Sequence, residues 1–192
     1  MFSDIERKII LKVKEKIEAR FADFKRKPYY NPELPWNKVY LSGGAIASLI
    51  QLEEPKDFDF YFVDLDSMVR FQNHLTSCEL FIKDIDPKYN TGTSKKGKLI
   101  TSNAITMDDD NSFITLIAGS PKTLKFTFDY LHCTPHYFDG KLYISERQFD
   151  AIVNKKLIVN NPKTVKEYRR EKFIKRGYTD ATTTNRVLLA SN

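Results

Sequence analysis

The chain has 192 residues, 41% of them apolar, with 14 Phe and 10 Tyr, which suffices for one large domain and excludes a disordered chain. Lys and Arg (31) exceed Asp and Glu (25) for a formal charge of +6, so the location of the positive charge matters more than its total. Two cysteines exclude a disulfide framework, no run reaches the ~18 apolar residues of a membrane span, and "MFSDIERKII" is not a signal peptide, so a soluble cytoplasmic protein is expected.

Ser3 and Glu6 form an S-x-x-E capping box. Ile5, Ile9, Val13, Ile17, Phe21 and Phe24 follow on one stripe, which predicts a helix from Ser3 to about Lys27. "KPYYNPELPW", with three prolines, reads as a loop, and Trp36 as its anchor or a core residue. "KVYLSGG" reads as a buried strand entering a glycine turn, "AIASLIQL" as a short helix and "DFDFYFV" as a strand. Asp64 and Asp66 cap a further helix running to about Cys78, and "PKYNTGTSKKGK" is a polar loop.

From Leu99 the pattern predicts strands at "LITSNAITM", "SFITLIAG" and "TLKFTFDYLHC", joined by turns at "DDDN" and "GSPK". Helices follow from Ser145 to Leu157 and from Asn161-Pro162, where Asn is the N-cap and Pro the first helical residue. The fold class is therefore α+β: a mixed β-sheet core flanked by helices, with a small C-terminal helical lobe. The division expected is a catalytic-type domain over 1–140 and a basic helical region over 141–192.

The chemistry concentrates at "LSGGAIASLIQLEEPKDFDFYF". On a strand Asp57 and Asp59 point the same way while Phe58, Phe60 and Phe62 point to the core. Two carboxylates a pleat apart repel, and a divalent cation removes the conflict; hard oxygen ligands on one rigid element suit Mg²⁺. If the strand "TLKFTFDYLHC" lies beside them, Asp129 makes a third carboxylate, enough for two metal ions. Gly43 and Gly44, between strand and helix, let the backbone approach a phosphate, and Ser42 adds a hydroxyl.

The order S-G-G, short helix, D-x-D, late Asp resembles the DNA polymerase β-like nucleotidyltransferase superfamily, and among its members the small stand-alone, phage-type proteins. The resemblance covers roughly residues 38 to 135. It implies a nucleotidyltransferase core in which Asp57 and Asp59 hold two Mg²⁺ ions, with Mn²⁺ as a substitute, and Asp129 ligates the ion that activates an acceptor hydroxyl. Ser42, Gly43 and Gly44 would hold the phosphates of an NTP. It further implies an acceptor, an RNA such as a tRNA end, and a host cytoplasm for a phage-encoded chain. CCA-adding enzymes carry an Arg-Asp pair soon after the glycines, where this chain has "AIASLIQ". Transfer to a protein or small-molecule hydroxyl, and a non-catalytic nucleotide- or RNA-binding module, stay open beside the RNA reading.

"VKEYRREKFIKRGY" is the dense basic stretch. Arg169, Lys172 and Arg176 share one helical face with Arg170 beside it, either as a solvated surface or as a grip on a triphosphate or RNA backbone. His74 and Cys78, with His132, Cys133 and His136, would make a zinc site only if their segments met. The acids of "MDDDN" compete as metal ligands or serve as a hairpin turn, and Asn103 is placed to read a base or ribose.

Overall fold

The computed structural model describes residues 1–77, 93–95, 98–100, 104–107, 111–114 and 120–181. Cys78, Asn103, Asp108 to Asp110, most of the polar loop and residues 182–192 lie outside the described residues, and with them the expectations made there. Among the described residues no helix is long and apolar enough to cross a membrane.

Helix α1 (Asp4–Phe24) starts at the expected capping box, with both reciprocal hydrogen bonds of Ser3 and Glu6 formed. Its stripe buries Val13, Ile17 and Phe24, but Ile5 at the open end is exposed. Strand β1 (Val39–Ser42) runs into α2 (Gly44–Ile50), whose Ala45, Ile46, Ala47, Leu49 and Ile50 are all buried. A helix apolar on every side has to be covered by neighbours. Strand β2 (Phe58–Phe62) leads to α3 (Leu65–Ser77), which Asp64 caps by accepting from the Ser67 N–H.

Short strands follow: β3 (Thr93–Lys95), β4 (Lys98–Ile100), β5 (Ala104–Met107) and β6 (Asn111–Ile114). After the four-residue helix α4 (Pro121–Leu124) come β7 (His136–Phe138), β8 (Lys141–Tyr143) and α5 (Glu146–Val153), which opens with a second capping box, Ser145 with Gln148. Strand β9 (Lys156–Leu157), helix α6 (Glu167–Ile174) and strand β10 (Thr179–Asp180) end the described chain.

Among the described residues the strands form an eight-stranded sheet, β3-β4-β5-β6-β2-β1-β7-β8, and a two-stranded one, β10-β9. In the large sheet β2 and β6 are parallel and the other pairs antiparallel, so it is mixed, as expected. Strand alternation sorts the core. Val39, Leu41, Phe60 and Phe62 pack with α1, α2 and α5, while Tyr40 and Tyr61 stack on the opposite face against Phe128 and Phe138. A second, smaller core gathers Tyr130, Cys133, Leu157, Phe173 and Tyr178 and fixes α6.

Four expected elements take other forms. "LITSNAITM" is two strands, β4 and β5, paired antiparallel with Ile100 opposite Ile105, and the helix begun at Ser145 ends at Val153, leaving Lys156 and Leu157 to β9. "TLKFTFDYLHC" is not a strand: Ser120-Pro121 starts α4, a turn follows, and Leu131–Cys133 is a 3₁₀ turn. Its carbonyls find partners elsewhere: Asn160 Nδ2 donates to those of Lys125 and Phe128, and Asn161 Nδ2 to that of Phe126. The Asp129 carbonyl accepts from the backbone N–H groups of Asn160 and Asn161. With those groups satisfied the segment needs no sheet neighbour. The same side chains explain why Asn161-Pro162 does not start a helix; Asn161 Oδ1 closes a turn by accepting from the Lys163 N–H, and α6 begins only at Glu167.

Candidate active site

Gly43 is the turn between β1 and α2, with φ of +95°, a conformation that favours glycine over any other residue. A Cβ there would sit 3.8 Å from Asp59 Oδ2, so the turn and the carboxylate adjoin. Asp57 immediately precedes β2 and Asp59 is its second residue. Together they line a cleft of about 320 Å³ whose opposite wall is α6 and the turn after it.

That wall is cationic. Arg169, Lys172 and Arg176 line the cleft, and Lys56 joins them from the strand side. Burial, and secondarily the charge of Asp57, push the Asp59 carboxyl up to about 7, against the opposing effect of Lys172 and Arg169. Burial pulls Lys172 below the ordinary lysine value, helped by the neighbouring charges of Arg176 and Arg169 and opposed by Asp57. Like charges are crowded on each wall, and opposite charges face each other across the cleft. An anionic ligand carrying a cation satisfies both walls at once.

The structure does not bring every expected site residue here. Gly43, Gly44, Asp57, Asp59, Arg169 and Lys172 line the cleft. Ser42 does not: it is 1% exposed, and its hydroxyl donates to the Pro135 carbonyl at 2.8 Å. Arg170 points away from the cleft and donates to Asp180 at 2.8 Å and Glu167 at 3.1 Å. That follows from helix geometry, since successive residues diverge by about 100° and cannot share a face.

Asp129 is 3% exposed and bound in two-pronged fashion by Arg169, through Nε to Oδ2 and NH2 to Oδ1, while its Oδ1 also accepts from the Tyr130 N–H. Burial weighs against the Arg169 charge, but the hydrogen bonds and charge of Asp129 outweigh it and raise the guanidinium pKa. In the parallel ladder the residue opposite Asp59 is Ser112 of β6, so the neighbouring strand contributes a hydroxyl and not a carboxylate at that level. Among the described residues no group of three or more His, Cys, Asp or Glu is placed to hold a metal ion. The expected convergence of Asp57, Asp59 and Asp129 is, among the described residues, a two-carboxylate edge, with Asp129 held apart by Arg169.

The histidines are likewise dispersed. His74 Nε2 lies 2.8 Å from the Tyr29 carbonyl, and His136 stacks on Tyr143. His132 is wedged among Tyr130, Phe173 and Tyr178, where burial pulls it down to about 3 and keeps it neutral. Cys133 reaches the cleft wall, but burial pushes its thiol up to about 12, which leaves no thiolate nucleophile at neutral pH.

A family profile described as "Gad2: Gabija anti-defense 2 family protein" matches residues 11–155, three quarters of the chain. The chain belongs to the Gabija anti-defense 2 family. The matched span holds the glycine turn, both aspartates and Asp129, and stops short of α6. A comparison with curated proteins finds no match.

Among solved structures, this Gad2-family chain is similar to the Thermotoga maritima CCA-adding enzyme complexed with tRNA. The identity is 15% and the TM-score 0.50, over 78% of this chain and 36% of that one. A CCA-adding enzyme in complex with CTP gives 13% identity and a TM-score of 0.50, over 83% of this chain and 42% of that one. The chain thus spans less than half the length of these enzymes. At such identities the likeness shows the fold alone, an α+β core around a mixed sheet, which is the fold class expected from the sequence.

Several cleft residues escaped the sequence reading, among them Ser48 of α2, Glu53 and Glu54 just after it, and two beside the D-x-D. Lys56 and Tyr61 flank the D-x-D, and each was legible in hindsight: Lys56 by adjacency, Tyr61 by sharing the face of Asp59 at i+2.

Proposed function

We propose that this Gad2-family protein is a metal-dependent nucleotidyltransferase that moves a nucleotide from an NTP to an acceptor hydroxyl, on RNA in the reading preferred here. Residues 1–140 would supply the catalytic domain and 141–192 the basic helical wall. The observation that carries the proposal is the facing of the walls: paired carboxylates beside a glycine turn on one side, and Arg169, Lys172 and Arg176 on the other. The family's description, Gabija anti-defense 2, makes counter-defence the role this chemistry would serve.

The residues fit a divalent ion. Asp57 and Asp59 offer hard oxygens from one rigid edge, and the burial and like-charge crowding that raise the Asp59 pKa are a conflict a divalent ion would relieve. Mg²⁺ is commonly bound by one or two carboxylates plus substrate phosphates, so two protein ligands suffice for one ion. Bound there, the ion would neutralise charge developing on the phosphate oxygens.

The rest falls to the chain. The glycine turn lets the triphosphate approach the backbone, and Lys172, Arg169 and Arg176 counter the charge of its phosphates. The acceptor oxygen forms a bond to the α-phosphorus and the bond to the bridging oxygen breaks. Pyrophosphate leaves with the electron pair, and the hydroxyl proton passes to solvent or to a cleft carboxylate.

A second reading, a nucleotide-binding module without turnover, is favoured by one observation: Asp129 is engaged by Arg169 and does not stand with the Asp57–Asp59 pair. One experiment separates the two. Each α-labelled NTP is incubated with the protein, Mg²⁺, total RNA and cell protein, with an Asp57→Asn, Asp59→Asn double variant alongside. Label in RNA that disappears in the variant supports the preferred reading. Label in protein keeps the enzyme and changes the acceptor. NTP binding with no transfer in Mg²⁺ or Mn²⁺ would falsify catalysis and leave the module.

A further inference from the structure

Arg169 is lined on its other side by a second groove, and we propose that this groove takes the single-stranded 3′ end of an RNA acceptor. The proposal rests on the transferase reading above. The groove measures about 300 Å³ and is bordered by Thr127, Lys166 and Tyr168. Tyr61, Phe128 and Arg169 line both this groove and the cleft, so one layer of side chains separates the two. Tyr61 lies two residues beyond Asp59 on β2 and on the same face, so the groove reaches the side of the strand that carries the carboxylate. Two adjoining sites meeting at one edge are what a two-substrate transfer requires, because the reacting atoms must be held within contact distance.

The lining indicates the occupant. Tyr168 is 68% exposed and, next to Thr127, Phe126 is 64% exposed. Both rings stand on ordered backbone: Tyr168 in the first turn of α6, and Phe126 in the segment whose carbonyls Asn160 and Asn161 hold. Lys122 and Lys125 are exposed on one bordering segment, Lys163 and Lys166 on the other. Asp129 in the groove is neutralised by Arg169, and the nearby Glu167 is paired with Arg170. The exposed Tyr168 ring, and the Phe126 ring that Lys125 Nζ covers on one face at 5.0 Å, stand among lysines with the acids cancelled. This suits unpaired nucleotides, whose bases stack on rings while their phosphates meet cations. A duplex keeps its base faces stacked internally and has nothing to offer the rings.

The test is fluorescence anisotropy with a labelled, unstructured RNA of about ten nucleotides, a length suited to a groove of this kind, using the full chain. Tyr168→Ala is expected to weaken RNA binding about tenfold or more, the loss of one stacked base. Lys166→Glu is expected to weaken it and to lower its salt dependence. Neither is expected to alter binding of a fluorescent NTP analogue with Mg²⁺ in the cleft, and the exposure of both side chains predicts unchanged unfolding curves. Equal RNA affinity in wild type and both variants overturns the groove assignment, as does a wild type that binds the NTP analogue but no RNA. Label transferred to protein without RNA binding overturns the groove and leaves the transferase standing. RNA binding lost in Tyr168→Ala, in a protein that transfers nothing, supports the groove and sinks the transferase.

Discussion

The two walls of the cleft are built differently. The carboxylate wall belongs to a large aromatic core: Phe60 behind Asp59 packs edge-on against Phe21 and Phe24, and Gly43 lies between the buried strand β1 and the largely buried helix α2. The cationic wall stands on a core of a few side chains around Phe173, and on ion pairs, Arg169 with Asp129 beside the cleft and Arg170 with Asp180 behind it. One wall is positioned by packing and the other by bonds between charges. The difference teaches that here the carboxylate edge is the rigid reference, and that the geometry of the cationic wall depends on Asp129, a carboxylate that does not itself line the cleft.

Breaking the Arg169–Asp129 pair gives the largest expected effect. Arg169→Ala leaves a carboxylate with 3% exposure unpaired, and chemical denaturation should show a loss of about 3–5 kcal/mol. If Arg169→Ala instead costs under ~1 kcal/mol, the second wall is packed as firmly as the first and the contrast fails. The double change Asp129→Asn, Arg169→Met should recover part of the loss, since no charge is then stranded.

Next is a pH effect on the first wall. The Asp59 carboxyl stands at about 7 in the fold, against ~3.9 in an unfolded chain. The native state therefore holds an extra proton between those values, and stability falls as pH rises through about 7. In metal-free buffer Asp59→Asn should be more stable than wild type at pH ~8, and the advantage should vanish toward pH ~4. Thermal melts across that range check it. Added Mg²⁺ should raise the wild-type midpoint at the upper end and leave the variant unmoved.

Smaller effects sharpen the assignment of single residues. Ser42→Ala removes a buried hydroxyl whose partner is the Pro135 carbonyl, so it should cost about 1 kcal/mol and leave NTP affinity unchanged. A selective loss of NTP affinity would return Ser42 to the phosphate site. Arg170→Ala breaks solvent-accessible pairs with Asp180 and Glu167, and a change of at most ~0.5 kcal/mol is expected, with no effect on the cleft.

What was legible in the sequence was local or periodic. The capping box at Ser3, the helix start at Ser145, the glycine turn and the D-x-D strand each declare themselves within a few residues, and all are present in the structure. The alternation of Leu124, Phe126 and Phe128 was equally local and misled, because a turn held by remote asparagines can show period two by accident. Asp129 could be recognised as a carboxylate of note, but not its partner: Arg169 lies 40 residues further on, and no local pattern links them. Ser42 showed the opposite failure, a hydroxyl beside a phosphate-type turn whose own rotamer is committed to Pro135, 93 residues away.

That same separation has a consequence for how the protein comes together. The ties between the halves span long stretches of chain: 93 residues from Ser42 to Pro135, and 127 from Gln51 to Tyr178. Loop closure of that kind costs entropy before any contact repays it, whereas helix caps form within a turn. The cationic wall should accordingly dock late, after the sheet and α2 have condensed. Stopped-flow kinetics would then show Arg169→Ala accelerating unfolding while barely slowing refolding. A nascent chain would hold a finished carboxylate edge for some time before it acquired the cationic wall that faces it.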